Sequence, residues 1–334
     1  MKKIRIAQIG VSGNSHGGDI FQALTQNDRF EIAGYALPEG EREKFPDRMP
    51  VFANYPEMRV EEILNDPTIE AVSIETEEIY LTKYALLAAQ HHKHIHMEKP
   101  GGTDLAAFTQ LIETVKQHQT VFHVGYMYRY NPVIRNLLQQ IREGEFGEIL
   151  SVEAQMSAWH ADPVRAWMKT FPGGMMFFLG CHLVDLLLQI QGEPDRIFAF
   201  NKRSQVHGIS AQDSCTAVFE YARGVSFLKT SDVEKGGFLR RQLVVTGTKK
   251  TIEIKPLEYY RADCPYPKMV TDARTCDSEA WAADVERVTS PIFDRYAPML
   301  EAFGKMAAGE MQNPYTYDYE FLLYKTILQC CGAL

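Results

Sequence analysis

Residues 4–18 read IRIAQIGVSGNSHGG, an apolar run followed by a turn containing Gly10, Gly13, Gly17 and Gly18, and lead into GGDIFQALTQ. A strand, a glycine-rich turn and a helix in direct succession make the opening of a βα unit. Such a turn lets backbone N–H groups and a helix N-terminus approach a pyrophosphate. The loop departs from G-x-G-x-x-G because Ser12 stands where the second glycine belongs. Its candidate contacts to a dinucleotide are Gly10, Ser12, Gly13, Asn14, Ser15 and His16. An acid that holds the adenosine ribose is expected about twenty residues on, at the end of the second strand. There the chain reads YALPE, with Leu37 at the expected place and Glu39 two residues later. Glu39 would take the ribose, whereas Arg42 and Lys44 would meet a 2′-phosphate, so NAD and NADP both stand open.

Outward from this unit the rhythm continues. FEIAGYAL, IEAVSIET, HIHME and VFHVGYMY read as strands, and MRVEEILNDP, LTKYALLAAQHH and LAAFTQLIETVKQHQ as the helices between them. Alternation of this kind predicts an α/β Rossmann domain with a parallel, doubly wound sheet over residues 1–125. From Gly147 the pattern changes to ILSVEAQMSAWH, RIFAFNKRS, CTAVFEYA, VSFLKTSDV, RRQLVVTG and TIEIKPLEYY, strands separated by turn signals. Residues 126–334 are therefore expected to form an α+β domain with a large, mostly antiparallel open sheet. A helix over 174–191 interrupts it, and two helical stretches close the chain.

Composition narrows the classes. The 334 residues are 45% apolar and 23% charged, as in a globular protein, and the net charge of −8 comes with no Lys/Arg run. A clustered basic surface is what phosphate backbones require, so nucleic acid is not an expected partner. No apolar run has the length of a membrane span. MKKIRIAQIG is broken by Arg5 and Gln8 and reads as a strand and not as a signal peptide. Six cysteines without a CxxC pair suggest a reducing cytoplasm.

Residues 90–102 read QHHKHIHMEKPGG. His94 and His96, two apart on a strand, share a face, but His91 and His92 end the preceding helix. The four are not expected to converge on a metal, and no metal is assigned. The chemistry falls to Glu98-Lys99-Pro100: Lys99 would emerge at the C-terminal end of a parallel strand, where open α/β sheets bind ligands, with Pro100 fixing the turn. A second candidate, His182, lies in GMMFFLGCHLVDLLLQIQG, which is apolar on nearly every side and so buried. Met175, Phe178, His182 and Asp185 share one stripe of that helix. Tyr128 and Arg129 suit either a substrate clamp or a structural ion pair, and Trp159-His160 an edge of the cleft.

Several segments together resemble the glucose–fructose oxidoreductase / inositol dehydrogenase (Gfo/Idh/MocA) family. They are Tyr55-Pro-Glu57 through Asp66-Pro67, Glu98-Lys99-Pro100, Tyr128-Arg129-Tyr130-Asn131-Pro132, Gly180-Cys181-His182-Leu-Val-Asp185 and Gly247-Thr-Lys249, so the similarity spans nearly the whole chain. The resemblance implies a nicotinamide cofactor, a sugar, cyclitol or related polyol as substrate, and a homodimer or homotetramer paired through the second domain's sheet. It implies Lys99 and His182 at the reacting carbon and Tyr128, Arg129, His160, Phe178 and Asp185 around the substrate. On the cofactor side it implies Thr76, Glu77, Glu98 and Lys99. Two positions depart from the family pattern: Phe178 replaces an aspartate four residues before the histidine, and Glu77 replaces the proline of a Thr-Pro pair. The first removes a carboxylate that would raise the pKa of His182 and makes that wall less polar. These departures, with Leu37, keep two alternatives in view: a non-catalytic dinucleotide- or sugar-binding regulatory relative, and a glycosidase that uses NAD transiently.

Overall fold

The structure is a computed structural model that describes residues 3–281 and 284–334. The chain divides into two compact units, one of residues 1–126 with 296–324 and the other of residues 127–295 with 325–334.

In the first unit, strands β1 (Ile4–Ile9), β2 (Phe30–Ala36), β3 (Ala71–Ile74), β4 (His94–Met97) and β5 (Phe122–Val124) form one parallel sheet in the order β2-β1-β3-β4-β5. Tyr35 makes a further parallel bridge to Glu57, so the chain between β2 and β3 adds an edge position beside β2. Counting that position, the order is the 3-2-1-4-5-6 of a dinucleotide-binding sheet, which reverses direction between β1 and β3. Helices α1 (Gly17–Thr25), α2 (Glu41–Lys44), α3 (Val60–Asn65), α4 (Leu81–Gln90) and α5 (Leu105–His118) fill the crossovers. β3 is buried at all four residues, as a strand covered on both faces must be. Asp104 starts α5 by accepting from the amides of Ala106 and Ala107, and Gln119 ends it with φ +53°.

The second unit begins with Asn131, whose side chain accepts from the amides of Val133 and Ile134 and so caps α6 (Pro132–Arg142), with Pro132 at its first turn. The strands are β6 (Ile149–Ser157), β7 (Arg196–Lys202), β8 (Ser214–Tyr221), β9 (Gly224–Ser231), β10 (Gln242–Gly247), β11 (Thr251–Ile254), β13 (Asp272–Cys276) and β14 (Glu286–Thr289). They make an eight-stranded sheet, β14-β13-β11-β10-β6-β9-β8-β7, antiparallel except for the β6–β9 pair. The short β12 (Lys268–Met269) and β15 (Phe293–Asp294) pair with each other. Helix α7 is Asp162–Trp167, and the predicted 174–191 helix is a five-residue π segment, Met176–Gly180, running into α8 (Cys181–Gln191).

The chain first passes from one unit to the other between Tyr126 and Met127. The sequence did not foresee the return. Residues 296–324, which carry α9 (Ala297–Ala307) and the start of α10 (Tyr317–Cys330), pack into the first unit and not the second. Phe303 of α9 stacks on His123 and lies tilted on His96, and Arg29 donates to Glu301 at 2.7 Å. Such contacts join residues up to 272 apart, beyond what local periodicity reports.

Candidate functional site

The first group of candidates surrounds the glycine loop. Gly10 has φ +82°, and a Cβ there would stand 2.3 Å from the Thr76 methyl and 2.8 Å from its backbone, so only glycine lets β1 and the end of β3 come this close. Ser12 explains its presence in place of glycine: it is buried, and its hydroxyl accepts from the Asn14 amide at 3.2 Å, closing the turn from within. Gly13 faces the Phe45 ring, 2.6 Å from where its Cβ would be, and its carbonyl accepts from Arg48 at 2.7 Å. His16 precedes α1 and is tied to the Tyr296 hydroxyl through Nδ1 at 2.8 Å. The hydroxyls of Ser15 and Thr76 are buried with no protein partner. A glycine cradle, two unpaired hydroxyls and a helix N-terminus converge here, and this donor set fits the pyrophosphate of a nicotinamide dinucleotide.

The end of β2 is less open. Leu37 packs against an apolar cluster that includes Val11, Phe21, Tyr35 and Phe52. Glu39 accepts from Tyr84 at 2.6 Å and Lys83 at 2.8 Å. Desolvation works against its charge, but those two hydrogen bonds hold its carboxyl below the ordinary range. Arg42 is paired with Glu57, and Lys44 reaches Glu77 at 3.4 Å.

Glu98 and Lys99 follow β4, both almost fully buried, with Lys99 Nζ 3.4 Å from Glu98 Oε1. The turn that carries them is clamped from three sides. Gly102 donates to Thr82 Oγ1 at 2.8 Å and accepts from Tyr324 at 2.7 Å, and Gly101, with φ +128°, leaves no room for a side chain beside Phe108. Two further acids, Glu75 and Glu78, are completely buried at the end of β3. The sequence reading passed over them; their signal was Glu75-Thr-Glu-Glu78 following directly on a buried strand.

The histidines separate as expected. His91 Nδ1 contacts the Leu87 carbonyl, His92 with φ +57° stacks on His118, and His94 accepts from the Val121 amide. His96 is the exception to a bland reading, being fully buried and 2.8 Å from His123, Nδ1 to Nδ1.

The remaining candidates belong to the second unit. His182 sits in the first turn of α8, its ring edge-on to Tyr128 with centroids 5.1 Å apart. Tyr128 donates to Glu258 at 2.5 Å, and burial followed by the Glu258 charge pushes its phenol up to about 12. Arg295 and Arg241 complete this buried group around Glu258. Arg129 donates to Asp185 from Nε at 3.0 Å and Nη2 at 2.8 Å, and both side chains are buried. Of the two roles open to it from sequence, the geometry is that of a structural ion pair. Phe178 lies edge-on to Trp167 and His160. Burial, then the charges of Arg241 and Arg165, bring His160 down to about 4, so its ring is neutral near pH 7. Along this helix Phe178 meets Trp167, His182 meets Tyr128 and Asp185 meets Arg129. The π segment inserts an extra residue per turn, which pattern reading at α-helical spacing does not detect.

Residues 4–126 match the family described as "Oxidoreductase family, NAD-binding Rossmann fold", and residues 134–253 match the GFO/IDH/MocA C-terminal domain. An oxidoreductase of Rhizobium meliloti named ORF334 is 26% identical over 58% of this chain and 58% of its own length. The scyllo-inositol 2-dehydrogenase (NADP(+)) IolW of Bacillus subtilis is 23% identical over 66% of this chain and 62% of its own. The chain thus spans about three fifths of the length of these curated relatives. Among solved structures, UDP-N-acetylglucosamine 3-dehydrogenase GnnA from Acidithiobacillus ferrooxidans superposes with a TM-score of 0.77 at 20% identity, over 100% of this chain and 98% of that one, a likeness of fold.

Proposed function

Because the chain belongs to the GFO/IDH/MocA oxidoreductase family, with an NAD-binding Rossmann domain as its first part, we propose that it is an NAD(P)-dependent dehydrogenase or reductase acting on a CH–OH group of a sugar, cyclitol or related polyol. The observation that carries this reading is Lys99: a buried ammonium, held by Glu98 and a clamped turn, at the C-terminal edge of the dinucleotide-binding sheet.

When bound, the nicotinamide group supplies or accepts the hydride. The backbone around Gly10, the hydroxyls of Ser15 and Thr76 and the start of α1 would hold its pyrophosphate. Lys99 donates a hydrogen bond to the substrate oxygen and stabilises the charge that develops there, moving a proton to or from that atom. His182 is the second group for proton exchange, its ring plane set by the Tyr128 edge. Neutral His160 serves the substrate as a hydrogen-bonding group, and Phe178 supplies an apolar wall. Arg129 and Asp185 brace α8 beneath them. We extend the reading to a homo-oligomer paired through the open face of the large sheet. Its support is a cross-strand row, Phe198–Val218–Phe227, in which Phe198 is 46% and Phe227 38% exposed.

The test is titration of the purified protein with NADH and NADPH separately, by quenching of tryptophan fluorescence and by calorimetry, followed by a polyol and sugar screen with the cofactor that binds. Micromolar binding and cofactor-dependent turnover are expected. A folded protein that binds neither cofactor would overturn the reading in favour of a non-catalytic relative.

A further inference from the structure

Glu75, Glu78, Glu98 and Lys99 occupy the ends of β3 and β4, and none is more than 2% exposed. Three carboxylates against one ammonium leave two negative charges in excess, in a place water does not reach. An uncompensated buried charge costs several kcal/mol, and a carboxyl group avoids that cost by keeping its proton. Burial raises Glu75 well above its ordinary value, and the Glu98 charge adds to this. Burial lifts Glu78 to about 8, with Lys99 opposing and Glu98 reinforcing the rise.

Among the described residues, Lys99 is the cation that acts on Glu75 and Glu78. Ser73 on β3 donates to Glu75 at 2.9 Å, and His96 on β4 places Nε2 3.8 Å from the same carboxyl. Burial holds His96 down to about 3, so it is neutral. Beyond it lies His123 of β5. From α1 the Gly17 backbone faces Glu75, where a Cβ would stand 3.0 Å from the Glu75 Cβ, and α9 presents Phe303 to His96. Glu77, on the same turn as Glu78, is paired with Lys44. Gln8, Ser73, His96 and His123 are direct register partners across four strands, a buried polar row. Among the described residues, both carboxyl oxygens of Glu78, Oε2 of Glu75 and Nε2 of His96 have no hydrogen-bond partner.

We propose that Glu75 and Glu78 are carboxylic acids in the resting protein and form a proton store that recharges Lys99 during carbonyl reduction. This rests on the dehydrogenase reading. In carbonyl reduction, for which a bound reduced nicotinamide would supply the hydride, the Lys99 ammonium would give its proton to the carbonyl oxygen, completing the alcohol. The neutral amine then takes a proton from a carboxylic acid of the store, which becomes a carboxylate. In alcohol oxidation the same proton returns to it.

The first test needs no turnover: infrared spectroscopy of the full chain between pH 6 and 10, following the carbonyl stretch of protonated carboxylic acids. The band is expected at pH 7, fading in the alkaline range, and reduced in Glu78→Gln and in Glu75→Gln. Lys99→Met, which removes the opposing cation, should make the band persist to higher pH. Absence of the band in the unaltered protein at pH 7 overturns the store whatever the enzyme does. The second test is kcat for carbonyl reduction against pH. Glu78→Gln should bring the alkaline fall to lower pH, roughly tenfold or more at pH 9 relative to the unaltered protein, at constant KM. A superimposable profile would sink the supply role, while loss of cofactor binding would sink the dehydrogenase reading alone.

Discussion

Lys99 combines nearly complete burial with one close anion, Glu98 at 3.4 Å, so its cost of burial is offset and its position fixed. Lys99→Ala should lower kcat/KM a hundredfold or more, about 3 kcal/mol of transition-state stabilisation, with cofactor affinity unchanged in calorimetry. An unchanged kcat/KM would remove Lys99 from the chemistry. Asp185 differs in kind, for its partner is the buried guanidinium of Arg129. Asp185→Asn leaves that cation without its counter-charge and should cost about 3–5 kcal/mol in urea unfolding. A loss of activity with unaltered unfolding would show that Asp185 serves the substrate instead.

At the scale of elements, β1, its loop and α1 act as one device. The +82° of Gly10 and the approach of Thr76 leave no place for a methyl group. Gly10→Ala should therefore push β1 and the end of β3 apart and weaken NADH or NADPH binding at least tenfold, about 1.4 kcal/mol, by the same fluorescence titration. The Ser12 turn explains how the loop keeps its form with one glycine fewer. This element was legible in the sequence because glycine loops are local. The π segment before α8 was not, since one extra residue in a turn leaves no mark in a run that is apolar on nearly every side.

Across the whole molecule, buried titratable groups shape stability against pH. Folded Glu78 keeps its proton to about 8 and the unfolded carboxyl loses it near 4.5. In that window the folded state binds more protons, so stability falls as pH rises through it. His96 works in the opposite sense: folded it is neutral down to about 3, unfolded it protonates near 6.5, and stability grows with pH across that interval. The melting temperature should fall between pH 6.5 and 8.5, and Glu78→Gln should flatten the fall; a flat curve in the unaltered protein would contradict the assignment. The sheet's open face makes a separate prediction. Phe227→Asp should yield a monomer with unchanged circular dichroism in size-exclusion chromatography with light scattering, and retention of an oligomer would place the contact elsewhere.

The amino-acid order by itself determined the two kinds of sheet, the strand–loop–helix that opens the first, and the lysine after β4, because each depends on neighbours within a few residues. Tertiary structure alone decided that residues 296–324 return to the first unit. It also decided that Arg129 is matched to Asp185, that His96 meets His123, and that Glu75, Glu78, Glu98 and Lys99 are buried at the ends of two paired strands. Those outcomes depend on charge balance and burial between strands distant in sequence, and the energy of a buried charge is set by what folding brings beside it.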